Sequence, residues 1–194
     1  MSADRILNVP NGLTVSRIPL TVLLCAFIHF EVWPAALVTF VVAAVTDWID
    51  GWWARKYNQL SSFGRVFDPL TDKILIGSAF IFLIPVEKAI MRPWMVAVVI
   101  GRELLITGVR GYVESLGKKF GADWFGKLKT ILQCLWLVAV LLYLSILQQT
   151  PESGLVAPLE ILHYGLLYAM LAATVLSGLQ YIGKAYRLLY SQVS

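Results

Sequence analysis

Four aspartates near the ends of two apolar segments are the residues in this sequence best suited to chemistry. Asp47 and Asp50 are three residues apart, and Asp68 and Asp72 are four residues apart. On a helix, either spacing puts both members of a pair on one face. If the two segments are antiparallel neighbours joined by the connection 57–65, those faces meet and four carboxylates converge. Carboxylates without partners would repel one another and be costly at membrane depth, so the pattern predicts a cation site.

The type of cation follows from the donor atoms. Ligation by carboxylate oxygens alone favours Mg or Mn over zinc or copper, and two ions in such a site can bind a diphosphate and orient an attacking oxygen. Gly51 and Gly64 fit this interpretation because a residue without a side chain permits close approach of a ligand. Arg55 supplies a planar cation suited to phosphate. The alternative is that the acids pair with nearby Lys and Arg at the membrane surface, which leaves their fixed spacing unexplained.

The elements that must position these residues are apolar helices. The chain has 194 residues, of which 58% are hydrophobic and 14% charged, and its mean hydropathy is +0.72, far above that of an ordinary soluble domain. Because a spanning helix needs about 20 apolar residues, we expect an all-α integral membrane protein with about six transmembrane helices in one domain, residues 1–194. The predicted spans are roughly 13–30, 34–56, 66–86, 93–115, 124–147 and 160–186, with Pro10 before the first helix and Pro151 through Pro158 in a turn.

The distribution of Lys and Arg predicts the orientation of these spans. One side of the predicted bundle has only Lys88 and Arg92, whereas the other collects Arg5, Arg55, Lys56, Arg65, Lys118, Lys119, Lys127, Lys184 and Arg187. Basic loops stay cytoplasmic, so we expect both termini and a polar active-site cavity on the cytoplasmic side. The net charge of +4 reflects this orientation and anionic lipid rather than nucleic acid. We expect the first span to be retained. The sequence has no Arg-rich, Ser-rich segment typical of a transit peptide, so we expect a bacterial inner membrane, although a processed organellar protein would look similar.

The whole pattern D-x2-D-G-x2-A-R-x8-G-x3-D-x3-D, residues 47–72, is similar to the signature of the CDP-alcohol phosphotransferases. The resemblance implies a homodimer of six-helix protomers with two divalent metals in each active site. It also implies transfer of a substituted phosphate from a CDP-linked lipid to an alcohol, with release of CMP. By this resemblance Asp47, Asp50 and Asp68 are metal ligands, Asp72 is both metal ligand and proton acceptor, and the cytidine diphosphate is surrounded by Gly51, Ala54, Arg55 and Gly64.

Motifs outside the signature extend the resemblance to the branch of the family that makes phosphatidylglycerophosphate. These motifs lie at 10–17, 67–73, 101–110 and 126–130, so the match covers roughly residues 8–133 and the last span is generic. Thr71 and Gly101 stand where that branch more often has Ala. The expected reaction is therefore transfer of a phosphatidyl group from CDP-diacylglycerol to glycerol 3-phosphate, with membrane lipid as the surrounding partner.

Two intramembrane arginines predict the acceptor site. Arg102 and Arg110 lie on roughly one side of the fourth span, and Lys127 opens the fifth. An Arg inside a membrane needs a cavity or a partner, and the phosphate of glycerol 3-phosphate is such a partner. The alternative for Arg102 is a pair with Glu103 or with an active-site aspartate.

Four polar residues are further candidates for contact with the CDP-lipid. Asn11 and Thr14, with Arg17, precede the first predicted span and can face the diphosphate or the headgroup, although helix capping and lipid contact explain them nearly as well. Ser61 is a nucleotide contact by resemblance only.

Other functions remain open from sequence alone. Inositol phosphate, serine or phosphatidylglycerol can serve as acceptor in the same chemistry. From a different class, a divalent-cation transporter can also use four membrane aspartates. Against a transporter, the acids cluster at one predicted surface rather than along a pore.

Overall fold

The computed structural model describes residues 9–56, 62–116 and 124–190, and the side chains near the signature only in part. This part of the chain is helical without strands, which confirms the predicted all-α class. A short 3₁₀ helix, Glu87–Ala89, follows the third of six α-helices. The α-helices are α1 (Val9–His29), α2 (Trp33–Lys56), α3 (Ser62–Leu83), α4 (Pro93–Ser115), α5 (Trp124–Gln149) and α6 (Val156–Tyr190).

Each α-helix overlaps one predicted span, and the differences lie at the ends. The prediction that Pro10 precedes the first helix was wrong, because α1 begins at Val9. Pro158 likewise lies in the first turn of α6 rather than in a turn before it. Proline is tolerated in a first turn because the N–H it lacks would have no partner inside the helix. As a result Asn11, Thr14 and Arg17 lie within α1 instead of before it.

The outer faces of the bundle are apolar, as a membrane protein requires. In the described part of the chain, α5 and the Val156–Leu188 stretch of α6 are long and apolar enough to span a bilayer, and Val15–His29 and Trp33–Asp47 form shorter apolar stretches. Large hydrophobic side chains remain exposed on several helices, among them Val22, Leu104, Ile161 and Leu179. Apolar side chains face outward without cost when lipid surrounds the helices.

Helix packing decides what lies beside α3, which carries Asp72. Among the described residues, α1 packs against both α2 and α3, whereas α2 and α3 make little contact with each other. α5 packs against α2 and α6, and α6 also packs against α4. The core is anchored by Trp136, whose buried ring meets the edge of Phe80 with 5.1 Å between ring centroids. The contact between α3 and α4 is less extensive, which leaves open space beside Asp72.

Candidate active site

Arg17 of α1 organises the described part of the acidic signature. Its side chain is fully buried, and its Nη1 lies 2.6 Å from Oδ1 of Asp47. The same nitrogen contacts Oδ1 of Asp72 and donates to Oγ1 of Thr71 at 3.4 Å. The two carboxylates keep 43% and 42% of their side-chain surface exposed. They are therefore held from one side by a buried cation and stay open to a ligand on the other.

The sequence analysis brought the acids together on the condition that α2 and α3 are antiparallel neighbours, which the described residues do not test. Among these residues, α1 packs against both helices and brings Arg17 between Asp47 and Asp72. A guanidinium between two carboxylates forms charge-assisted hydrogen bonds to both and offsets their repulsion. Sequence reasoning had named Arg17 only as a contact for diphosphate or headgroup.

The other two aspartates lie on the same two helices. Asp50 is one turn from Asp47 in α2, and Asp68 is one turn from Asp72 in α3, but both side chains lie outside the described part of the structure. Among the side chains that are described, no group of three or more metal-ligating residues occurs. The donors that are described fit the predicted ions, because the carboxylate oxygens of Asp47 and Asp72 are the type that Mg and Mn prefer. The four-carboxylate site itself stays a prediction.

The predicted contacts to the CDP-lipid also stay predictions. Asn11 and Thr14 lie in α1, and Gly51, Ala54 and Arg55 lie in the last two turns of α2. Gly64 lies in the first turn of α3. The side chains of these residues and the whole of Ser61 fall outside the described part. The helices nevertheless bring five of these positions to the same segments of α1 and α2 as Arg17 and Asp47.

A second polar site lies between α3, α4, α5 and α6. It is a cavity of about 460 Å³, and its described lining has five cations and one carboxylate: Lys73, Arg102, Arg110, Lys127, Lys129 and Glu103. The three predicted acceptor-binding residues are all in that lining. We call this space the basic cavity. Its cations outnumber its carboxylate, and such an excess at membrane depth favours an anionic ligand.

Glu103 is shared by two of the cations in the basic cavity. Its Oε1 lies 3.3 Å from Nη1 of Arg102 and contacts Nζ of nearly buried Lys129. Arg102 therefore forms the ion pair with Glu103 that was the alternative interpretation, and it also lines the basic cavity. Nearby, Lys73 donates to Oγ1 of Thr107, which donates to the backbone oxygen of Glu103 at 2.7 Å. Sequence reasoning did not assign Lys73, Glu103 or Lys129 to the site, although all three stand inside the motifs that carried the resemblance.

Asp72 and the basic cavity open on adjoining spaces. A mostly apolar groove of about 390 Å³ between α3, α4 and α5 has Asp72 in its wall. This groove shares Lys73, Glu103 and Lys129 with the basic cavity. The basic cavity and the groove that contains Asp72 therefore adjoin each other at these residues.

Comparison with known proteins decides the family. The sequence profile described as CDP-alcohol phosphatidyltransferase matches residues 7–178, which is most of the chain. The chain belongs to the CDP-alcohol phosphatidyltransferase family. This family is generally dependent on divalent metals, in agreement with the donor chemistry of Asp47 and Asp72.

Several relatives of the chain carry the name CDP-diacylglycerol–glycerol-3-phosphate 3-phosphatidyltransferase. The chain is 36% identical over 151 residues to that protein of Bacillus subtilis, covering 70% of this chain and 77% of the relative. It is 32% identical over 177 residues to the protein of Rickettsia typhi, covering 90% and 94%. It is 36% identical over 131 residues to the protein of Escherichia coli K12, covering 65% and 72%.

Proposed function

We propose that this chain transfers the phosphatidyl group of CDP-diacylglycerol to glycerol 3-phosphate, giving phosphatidylglycerophosphate and CMP in phospholipid biosynthesis. The observation that carries the proposal is the basic cavity beside Asp72, because it supplies a phosphate site within reach of a carboxylate. The shared name of the relatives supports the same reaction.

The acceptor binds by its phosphate. Arg102, Arg110 and Lys127 surround the phosphate with donors, and Arg does so through a planar fork that matches phosphate oxygens. An unphosphorylated alcohol would leave these cations without an anion at membrane depth and is therefore a poor substrate. Anchoring of the phosphate directs the primary hydroxyl of the acceptor along Lys73 to Asp72.

The chemical step is a direct displacement at phosphorus. The acceptor hydroxyl oxygen attacks the phosphorus that carries the diacylglycerol, and Asp72 accepts the hydroxyl proton. The bond from that phosphorus to the bridging oxygen breaks, and CMP leaves with the electron pair. Arg17 keeps Asp47 and Asp72 in place during the step. Asp47, Asp50, Asp68 and Asp72 would hold two Mg or Mn ions, whose positive charge would offset the negative charge of the diphosphate.

The CDP-lipid belongs to the α1–α3 side of the site in this proposal. Its diphosphate and cytidine would contact the residues that the signature resemblance assigned: Asn11, Thr14, Gly51, Ala54, Arg55, Ser61 and Gly64. The acyl chains remain in the surrounding lipid. The enzyme works as a homodimer of single-domain protomers in a bacterial inner membrane, with its site and both termini facing the cytoplasm. The asymmetry of Lys and Arg between the two sides of the bundle supports this orientation.

The test is an acceptor panel with purified protein in detergent, CDP-diacylglycerol and Mg or Mn. CMP release and the lipid product are measured with glycerol 3-phosphate, inositol phosphate, inositol, serine and phosphatidylglycerol in separate reactions. Activity with glycerol 3-phosphate and its loss in Asp72→Asn are the expected results. Glu87→Gln, a similar neutralisation on the 3₁₀ helix far from the site, serves as the control. Turnover with a different acceptor alone would overturn the substrate, and metal uptake into sealed vesicles without CDP-lipid would favour a transporter.

A further inference from the structure

The last helix, generic in sequence, makes specific contacts with Arg102. Nη2 of Arg102 donates to Oγ of Ser177 at 3.1 Å, across 75 positions of sequence. The same Ser177 hydroxyl donates to the backbone oxygen of Thr174 at 3.0 Å. Because its hydrogen is already committed to that carbonyl, the hydroxyl presents a lone pair to the guanidinium. Ser177 is fully buried, so its oxygen is a fixed acceptor for Arg102.

A glycine next to this serine makes room for the stem of the same side chain. A Cβ atom at Gly178 would lie 3.3 Å from Cγ of Arg102, closer than ordinary van der Waals contact. Position 178 favours glycine because the aliphatic stem of Arg102 packs directly over the backbone of α6. A Cβ at position 178 would require the Arg102 stem to shift by a few tenths of an ångström, and the guanidinium that Ser177 holds lies at the end of this stem.

Tyr181 completes the contact one turn further along α6. Its ring lies below the Arg102 guanidinium, with 5.5 Å from Cζ to the ring centroid, a cation–π distance. The ring is buried and also meets the first turn of α5, where a Cβ at Gly126 would lie 3.1 Å from Oη of Tyr181. Tyr181 therefore links Arg102 of α4 to the turn of α5 that carries Lys127 and Lys129, and it lines the basic cavity itself.

From these contacts we infer that Ser177, Gly178 and Tyr181 are positioning residues that hold the Arg102 guanidinium in place for the acceptor phosphate. The inference rests on the proposed function, and it adds α6 to a site that the sequence assigned to the first five spans. A long Arg side chain loses rotamer freedom when it binds a ligand. The Ser177 oxygen and the Tyr181 ring hold the guanidinium before the phosphate arrives, and Gly178 leaves room for the stem, so that this loss does not weaken binding.

The test separates acceptor binding from turnover. Ser177→Ala, Gly178→Ala and Tyr181→Leu are expected to raise KM for glycerol 3-phosphate about fivefold to tenfold, with KM for CDP-diacylglycerol unchanged and kcat within about twofold. Tyr181→Phe keeps the ring face and should restore most of the acceptor affinity that Tyr181→Leu loses. Matched controls on α6 are Tyr168→Leu, at an exposed tyrosine, and Gly165→Ala, where a Cβ would meet nothing within 4 Å.

A double-mutant cycle identifies Arg102 as the residue through which α6 acts. In an Arg102→Ala background, Ser177→Ala should lower kcat/KM for glycerol 3-phosphate no further, because the group that Ser177 positions is gone. Additive losses would overturn the inference, as would an unchanged KM for glycerol 3-phosphate in folded Ser177→Ala and Tyr181→Leu. Wild-type protein that is inactive with glycerol 3-phosphate would instead sink the proposed function, so the two failures are distinguishable.

Discussion

In both halves of the site, one charged group lies between two groups of the opposite charge, and the signs are reversed between the halves. On the α1–α3 side, buried Arg17 is a single cation between Asp47 and Asp72. On the α4–α5 side, Glu103 is a single carboxylate between Arg102 and Lys129. In each half one group of opposite sign holds like charges together without neutralising all of them.

The difference between the halves indicates what each one binds. The described part of the α1–α3 half has two carboxylates to one guanidinium, and both carboxylates are over 40% exposed. The basic cavity has five cations to one carboxylate in its described lining. The charge of one half therefore favours cations and that of the other favours an anion, and Lys73 lines both the basic cavity and the groove that contains Asp72.

Asp72→Asn should have the largest effect on turnover. The amide has nearly the shape of the carboxylate and can keep an oxygen towards Arg17. It cannot take up the proton of the attacking hydroxyl group. General base catalysis contributes about a hundredfold to ten-thousandfold, so kcat should fall within that range while the protein stays folded. Steady-state kinetics measures this, and turnover within about threefold of wild type would remove Asp72 from the role of proton acceptor.

Arg17→Ala should destabilise the α1–α3 half. Removal of one partner of a buried ion pair costs about 3–5 kcal/mol, and about 2–3 kcal/mol is expected here because both carboxylates remain partly exposed. Added Mg should recover part of this loss, since a divalent cation offsets the same repulsion. Thermal unfolding in detergent with and without Mg measures both effects, and Arg92→Ala at the exposed opposite end is the control. An Arg17→Ala protein as stable as wild type without metal would contradict the role of Arg17.

Arg110→Ala should weaken the acceptor site alone. A hydrogen bond between charged groups is worth about 1.5–3 kcal/mol, so KM for glycerol 3-phosphate should rise about tenfold or more. KM for CDP-diacylglycerol should not change if that substrate binds on the α1–α3 side, as proposed. Two-substrate kinetics separates the two constants, again with Arg92→Ala beside it. An equal rise in both KM values would mean that the two substrates do not bind in separate halves of the site.

Glu103→Gln should have the smallest effect and the opposite sign on acceptor binding. Loss of the carboxylate makes the basic cavity more positive, so KM for glycerol 3-phosphate should fall about twofold. The free energy of unfolding should drop by about 1–3 kcal/mol, because nearly buried Lys129 loses its charged partner. Steady-state kinetics measures the change in KM, and thermal unfolding of the same preparation measures the change in stability. A large rise in KM would show that Glu103 itself contacts the acceptor.

Local signals in the sequence were sufficient to predict most of the fold. Arg92-Pro93 and the apolar run after it predicted α4 with the same bounds that the structure has. The start of α1 was missed because Pro10 reads equally as a turn residue and as a first-turn residue. The expectation that these acids lie near the ends of their spans was wrong for Asp72, which is the eleventh of the 22 residues of α3. The spacing of the aspartates also carried no information on which helix lies between Asp47 and Asp72.

The parts of the site that could not be predicted depend on packing between distant segments. Arg102 and Arg110 were expected to share a pocket because eight residues keep them on one side of a helix, and both line the basic cavity. The contact of Arg102 with Ser177 and Tyr181 exists only because α6 packs against α4. Serine, glycine and tyrosine in an apolar helix are ordinary residues, and nothing in their local pattern indicates a functional neighbour.

The most direct test of the central claim follows the oxygen that forms the new bond. Glycerol 3-phosphate labelled with heavy oxygen in its primary hydroxyl is reacted with CDP-diacylglycerol, and both products are analysed by mass spectrometry. Attack of that hydroxyl on the phosphorus bearing the lipid predicts labelled phosphatidylglycerophosphate and unlabelled CMP. Label in a cytidine nucleotide together with release of phosphatidic acid would mean that the other phosphorus is attacked, and it would contradict the proposed reaction.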